Sequence, residues 1–376
     1  MNNSRYLHKV IESDLNRKMV FLGGPRQVGK TTLSLTFLDP PATDNPCYLN
    51  WDSLASKRII KSGELPPGGT IIFDEIHKFR SWRSLIKGLY DMNKTKRTFL
   101  VTGSARLDHY RRGGDSLLGR YRYIRLHPFS ISELNISKPE EIERLLNFGG
   151  FPEPYLLNDV IEWRRWQNER IYRLVNDDIR NLENLREYNG IESLAENLSS
   201  RVGSPLSVSS LARDLEYNFR TIESWIRILE QTYFCYRIAP FGPPKIKAVK
   251  KERKLFLWDW SSCEDAGKKF ENFVASHLLK YCHFLEDTQG WKMELRFLRD
   301  VTGREVDFVV LQNKKPLFAV ECKYGEKAVA PALHYFRERT SIPIFYQVHL
   351  GKKNYQPDPR VRVLPFVDFC HEVGMV

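Results

Sequence analysis

Long apolar runs are missing from this sequence. No stretch approaches the twenty or so apolar residues that a membrane span needs, and the opening MNNSRYLHKVIESDL has no apolar signal-peptide core. No repeat and no low-complexity tract is evident. Cysteine is sparse: Cys47, Cys235, Cys263, Cys282, Cys322 and Cys370 are scattered with no C-x-x-C pair, which argues against a zinc site and a disulfide framework. A cytoplasmic, reduced protein with no membrane partner is expected. An acidic balance is also lacking. The formal charge is +12, which points to an acidic partner, nucleic acid in preference to none, with DNA favoured. A hydrophobic content of 42% over 376 residues is globular and long enough for two or three domains.

What is present begins at Gly24-Pro25-Arg26-Gln27-Val28-Gly29-Lys30-Thr31, entered from the apolar Met19–Leu22 and followed by a helix from Thr31 to Phe37. Every fixed position of G-x-x-x-x-G-K-[ST] is met, between a strand and a helix, as a phosphate-binding loop requires. The glycines let successive N–H groups face inward around phosphate oxygens. Lys30 can reach the β- and γ-phosphates and the Thr31 hydroxyl a Mg²⁺ ion. Gly24 through Thr32 are therefore the expected ATP-binding segment. Five apolar segments follow at α/β spacing: Met19–Leu22, Cys47–Trp51, Thr70–Phe73, Thr98–Thr102 and Tyr121–Leu126. The third runs into Asp74-Glu75, where Asp74 suits Mg²⁺ coordination and Glu75 suits polarising an attacking water.

A strand between the phosphate-loop strand and the Asp-Glu strand resembles the additional-strand (ASCE), AAA-type ATPases, whose parallel sheet has the order 5-1-4-3-2. Thr102-Gly103-Ser104-Ala105-Arg106 resembles that family's sensor segment beside the γ-phosphate, which places Ser104 and Arg106 at the nucleotide. Arg120, in Leu117-Leu118-Gly119-Arg120-Tyr121, is a candidate for the γ-phosphate of a neighbouring subunit in a homo-oligomer, as Arg106 is; a plain salt bridge is the alternative for each. Phe148-Gly149-Gly150-Phe151-Pro152-Glu153-Pro154 resembles the glycine–proline element where the lid of signal-transduction ATPases begins. Residues 1–155 look like the prokaryotic AAA family usually fused to a C-terminal DUF4143 domain.

Residues 156–258 read as a helical lid and a winged helix. In 156–190, Trp163, Trp166, Ile171 and Leu174 mark an inner face, with Arg164, Arg165, Arg170 and Arg173 outside. Asp177-Asp178-Ile179-Arg180 offers either a metal site or a salt-bridged surface. Ser207 caps Val208–Leu215. After a break, Phe219–Gln231 buries Ile222, Ile226 and Leu229 and leaves Arg220, Thr221, Ser224 and Arg227 outward, a helix-turn-helix outline. Tyr233–Ile238 and Leu255–Trp258 pair as a hairpin across Lys245, Lys247, Lys250, Lys251, Arg253 and Lys254. That basic loop suits the wing of a winged helix on duplex DNA; a rigid lid or a protein contact is the other use.

Residues 259–376 carry a second constellation. Glu271 lies on an amphipathic helix. Glu305–Val310 alternates so that Asp307 takes one face and Val306, Phe308 and Val310 the other. After a turn at Asn313–Pro316, Leu317–Lys323 places Glu321 and Lys323 on one face. An acid, a second acid about fourteen residues later and a lysine two beyond resemble the PD-(D/E)xK restriction-endonuclease-like superfamily. The resemblance implies that Glu271, Asp307 and Glu321 hold one or two Mg²⁺ or Mn²⁺ ions and that Lys323 orients water or stabilises developing charge. Where the family has leucine-aspartate-threonine-glycine after the hairpin, this chain has Leu257-Trp258-Asp259-Trp260-Ser261. The expected molecule is a multidomain α/β protein in which ATP gates a metal-dependent phosphodiesterase. The alternative is a nucleotide-dependent DNA- or protein-binding switch with a silent nuclease fold.

Overall fold

The computed structural model describes residues 5–103, 117–179, 188–243, 246 and 253–376. Ser104, Arg106, Arg180, Lys245, Lys247, Lys250 and Lys251 lie outside the described residues, as do the side chains of Asp177 and Asp178. The chain divides into two compact units, the first built from residues up to His127 with short pieces from later in the chain.

The first unit runs α1 (His8–Leu15), β1 (Met19–Gly23), α2 (Lys30–Leu35), β2 (Tyr48–Asn50), α3 (Leu54–Ser62), β3 (Thr70–Asp74), α4 (Trp82–Asn93), β4 (Thr98–Thr102) and β5 (Tyr121–Arg125). β1, β3 and β4 are short, mostly apolar and buried runs, as in a parallel sheet covered on both faces, while the edge strands β2 and β5 each bury one residue. Every residue of β1 is buried. The order β2-β3-β4-β1-β5 is the expected 5-1-4-3-2 read from the other edge, and all four pairings are parallel. Phe21, Phe73, Phe99 and Val101 pack one face against Trp82, Ile86 and Leu89 of α4 and Ile60 of α3. Helix ends follow their sequence signals: the Ser53 side chain accepts from the Ser56 N–H, and Gly63 closes α3 in the left-handed region.

The second unit contains α5 (Pro139–Phe148), α6 (Pro152–Leu157), α7 (Val160–Arg173), α8 (Tyr188–Leu198), α9 (Val208–Asp214), α10 (Phe219–Gln231), β6 (Cys235–Pro240), β7 (Lys254–Leu257), α11 (Ala266–Gln289), β8 (Met293–Arg299), β9 (Glu305–Gln312), β10 (Lys315–Lys323), α12 (Pro331–Arg339), β11 (Phe345–His349), β12 (Tyr355–Asp358), β13 (Val361–Pro365) and α13 (Phe366–Glu372). One mixed sheet has the order β12-β13-β11-β10-β9-β8-β6-β7. The hairpin that suits a wing is thus also a sheet edge, since β6 pairs with β8 at Ala239 and Pro240. α10 buries Ile222, Ile226 and Leu229, with Arg220, Ser224 and Arg227 outward as the spacing predicts; Thr221, also expected outward, is half-buried, and Trp225 and Ile228 widen the buried face.

Several expectations give way here. β9 does not alternate between core and solvent: Phe308, Val309, Val310 and Leu311 are all buried. α11 packs on this sheet, and Leu333 and Phe336 of α12 join Val306, Val309 and Leu311 in another core. β10 starts at Lys315, because Asn313 and Lys314 both take positive φ and close a two-residue hairpin turn. The helix predicted from 156 is interrupted at Asn158, with φ of 52°, and restarts at Asp159, whose side chain accepts from the N–H groups of Ile161 and Glu162. Arg170, expected outside, is covered by the rings of Phe151, Trp166 and Phe234 and paired with Asp259 at 3.4 Å. The stacked rings compensate its burial. Cys47, Cys235, Cys263, Cys322 and Cys370 are free thiols.

Candidate functional site

The parallel register brings the polar ends of three strands level. Asn50 pairs with Asp74, and Asp74 with Thr102, at the carboxyl edge where β1 gives way to the phosphate loop. Asp74, 5% exposed, accepts three hydroxyls: Thr31 at 3.1 Å, Tyr48 at 2.5 Å, and Thr102. Tyr48 and Thr102 hold the carboxylate toward Thr31. Burial, and then the charge of Asp74, hold the Tyr48 phenol well above its ordinary range, so it stays a donor.

The loop needs conformations that favour glycine at both ends. Gly24 has φ of 142° and Gly29 of 93°, and a Cβ on Gly24 would stand 2.3 Å from the Leu126 carbonyl oxygen. Lys30 is buried, and its ammonium donates to the Gly24 and Pro25 carbonyls at 3.0 and 2.6 Å. Arg5, which the sequence reading does not pick out, donates to the Val28 carbonyl at 2.7 Å and to that of His127 at 2.6 Å. It thereby ties the crest of the loop to the segment after β5. Glu75 follows Asp74 in the left-handed region at φ of 56°. Its Oε2 is buried with no hydrogen-bond donor. Lys78 approaches it at 3.4 Å, an ion-pair distance without hydrogen-bond geometry. His77 lies 3.8 Å away and is neutral at pH 7, since burial pushes its pKa below the usual value against the pull of Glu75.

These oxygen donors fit Mg²⁺, a hard ion. Thr31 Oγ1 and Asp74 would hold it, and the ion when bound would neutralise charge on the phosphates. With a nucleotide bound, the loop N–H groups would face its phosphate oxygens, and Lys30, leaving the Gly24 and Pro25 carbonyls, would reach the terminal phosphates.

Arg120 does not join this site within its own chain. It precedes Tyr121, which pairs with Met19 at the opposite end of β1 from the loop, and it grips Asp91 at 2.9 and 3.1 Å. An arginine at that end of a parallel sheet is a strand length from the phosphates.

In the second unit the predicted side chains converge. Asp307 on β9 accepts from the Cys322 N–H of β10 at 2.8 Å, and Lys323 lies 2.6 Å from Glu321. Glu271 from α11 joins through Lys254, whose ammonium meets Glu271 at 3.1 Å, Asp307 at 3.7 Å, and Glu305. Lys254 is therefore no wing cation; it is 1% exposed. Its burial disfavours its charge, and Glu271, Asp307 and Glu305 more than offset this, so its pKa lies above the ordinary lysine value. Burial, then the charge of Asp307, raise both Glu271 and Glu321 to about 8. Glu321 Oε2 is buried without a partner. Among the described residues no group of three or more His, Cys, Asp or Glu is arranged to hold a metal ion. The metal expected at Glu271, Asp307 and Glu321 does not fit this arrangement, because an ammonium stands among the acids. Glu305 and Lys254 are the residues the pattern hides: Glu305 reads as an ordinary strand end and Lys254 as one more basic loop residue.

Comparison with known proteins agrees with the residues. Residues 16–135 match an AAA domain, 139–264 a domain of unknown function (DUF8612), and 266–369 a domain of unknown function (DUF4143). Uncharacterized proteins of Mycobacterium bovis and Mycobacterium tuberculosis are each 24% identical over 64% of this chain and 54% of their own length. The chain thus spans about half the length of these curated relatives. An uncharacterized protein of Methanocaldococcus jannaschii is 23% identical over 85% of this chain and 78% of its own. A solved RuvB mutant of Thermotoga maritima shares 16% identity over 61% of this chain and 87% of that one, at a TM-score of 0.28, too slight to carry an inference. No helix among the described residues is long and apolar enough to cross a membrane. On its sheet order, its phosphate loop and these matches, the chain carries an AAA domain of the P-loop ATPase type at its N-terminal end and a DUF4143 domain at its C-terminal end.

Proposed function

We propose that the chain is a Mg²⁺- and ATP-dependent switch that binds duplex DNA and does not cut it. The observation that carries the reading is the pairing of a complete phosphate site with an acid cluster already occupied by the Lys254 ammonium. ATP held by Gly24–Thr32, with Thr31 and Asp74 on the metal and Glu75 on the water, changes the balance between two arrangements of the chain by binding one of them more tightly. The formal charge of +12 and the outward Arg220, Ser224 and Arg227 of α10 support DNA as the partner, since phosphate contacts require cations clustered on an accessible face. Nucleotide hydrolysis resets the switch.

A specific observation favours a second reading, an ATP-gated phosphodiesterase: Asp307, Glu321 and Lys323 meet on neighbouring strands, in the order a PD-(D/E)xK nuclease uses. Plasmid DNA incubated with the purified chain, Mg²⁺ or Mn²⁺, and ATP separates the two. The switch reading expects retarded but intact DNA, with retardation lost on omitting ATP and in Lys30→Ala. Cutting that disappears in both Asp307→Ala and Lys323→Ala would establish the second reading instead.

A further inference from the structure

Lys254 stands where a cation is required. Glu271 comes from α11, Glu305 and Asp307 from β9, and the ammonium from β7 reaches all three. Their side chains are at most 22% exposed, and carboxylates this close and this dry cannot all ionise without a counter-charge. Arg299 adds a second cation, on Glu305 at 3.2 Å.

The cluster is also closed from one side by backbone. Pro205 bridges Lys254, the Gly203 N–H donates to the Leu255 carbonyl at 3.0 Å and the Leu206 N–H to that of Arg253 at 2.9 Å. A Cβ on Gly203 would stand 2.7 Å from Glu271 Oε2. A divalent ion with its oxygen shell would have to displace the ammonium and open this segment. Sequence spacing alone suggested a metal here; the geometry supplies an organic cation.

We propose that Lys254 is a built-in cation for this pocket: it stands in place of a divalent ion among Glu271, Glu305 and Asp307, and removing its charge converts the pocket into a divalent-cation site. The proposal goes beyond the switch reading, and rests on it only in giving the second unit no metal-dependent step. It also gives β7, α11 and β9 a common electrostatic tie.

The test is a Mn²⁺ titration of the full, nucleotide-free chain, with free Mn²⁺ counted by electron paramagnetic resonance. The probe is run on the unsubstituted chain and on Lys254→Met, each with and without Asp307→Asn, which subtracts Mn²⁺ bound elsewhere. The expected result is no Asp307-dependent Mn²⁺ in the unsubstituted chain. Lys254→Met should gain one such site, because a fixed positive charge some 4 Å away has been removed. Lys254→Arg should gain none. If Lys254→Met unfolds, restoration of its fold by Mn²⁺ supports the proposal, and failure of Mn²⁺ to restore it counts against it. Asp307-dependent Mn²⁺ binding by the unsubstituted chain overturns the proposal. If that bound Mn²⁺ cuts no DNA the switch reading survives, and if it cuts, this proposal and the switch reading fall together.

Discussion

In the proposed switch Lys30 and Glu75 serve the same nucleotide through different chemistry, and their substitutions should read differently. Glu75→Gln keeps size and polarity but removes the acceptor that takes a water proton. ATP binding should stay near normal while turnover falls about 10²–10⁴-fold; turnover unchanged in that variant would remove Glu75 from the reaction. The loop was legible in the sequence because its parts are contiguous and its glycines are needed where φ is positive. Arg5 and Tyr48 were not legible, since their partners Val28 and Asp74 are reached only after folding. Glu271 and Glu321 make a pH prediction at the same scale. Burial and the Asp307 charge raise both above the usual carboxyl value of 4.5, to about 8. The folded chain therefore holds protons that the unfolded chain releases. This stabilisation is complete below about pH 4.5 and is lost as pH rises through about 8. Thermal denaturation scanned across that window should show stability falling with pH at this cluster, less steeply in Glu321→Gln. An equal slope in the variant would remove Glu321 as a source.

Among the elements, the segment Leu257–Ser261 shows best what a linear reading loses. Asp259, 0% exposed, accepts from the Ser261 N–H and hydroxyl, from Gln167, and from Arg170 on α7. The Trp260 indole donates to the Leu145 carbonyl at 2.9 Å. The double glycine that resembles a lid boundary makes room for this anchor, since a Cβ on Gly150 would stand 2.6 Å from the Trp260 ring. Two unusual phrases in the sequence are thus halves of one contact. Asn272 gives the matching prediction for β7: its amide accepts from the Leu257 N–H and donates to the Leu257 carbonyl, both at 2.8 Å. Asn272→Ala leaves both groups buried and unpaired, at about 1–3 kcal/mol each. Hydrogen exchange at Leu257 should accelerate, and urea should unfold the second unit earlier. Unchanged exchange there would show that the amide contributes nothing to the strand. Strand pattern misled at β9 for a related reason, because helices on both faces of the sheet remove the solvent side that alternation presupposes.

For the whole molecule, the strand order of the first unit was readable: it follows from where the loop and the Asp-Glu pair fall along the chain. The nuclease-like pieces were readable as a set, but their chemistry was not, because the residue that changes it, Lys254, lies about fifty residues before its partners Glu305 and Asp307 in a run of basic residues. Net charge is the ground for proposing an acidic partner and says nothing about control by nucleotide. A switch makes that control measurable, because coupling between two ligands is reciprocal. The most direct measurement is the dissociation constant of ATP, with Mg²⁺ and in the slow Glu75→Gln chain, with and without saturating duplex DNA. The switch account predicts that DNA tightens ATP binding about 5- to 150-fold, that ATP tightens DNA binding by the same factor, and that the DNA remains intact. Equal ATP affinity with and without DNA would contradict it.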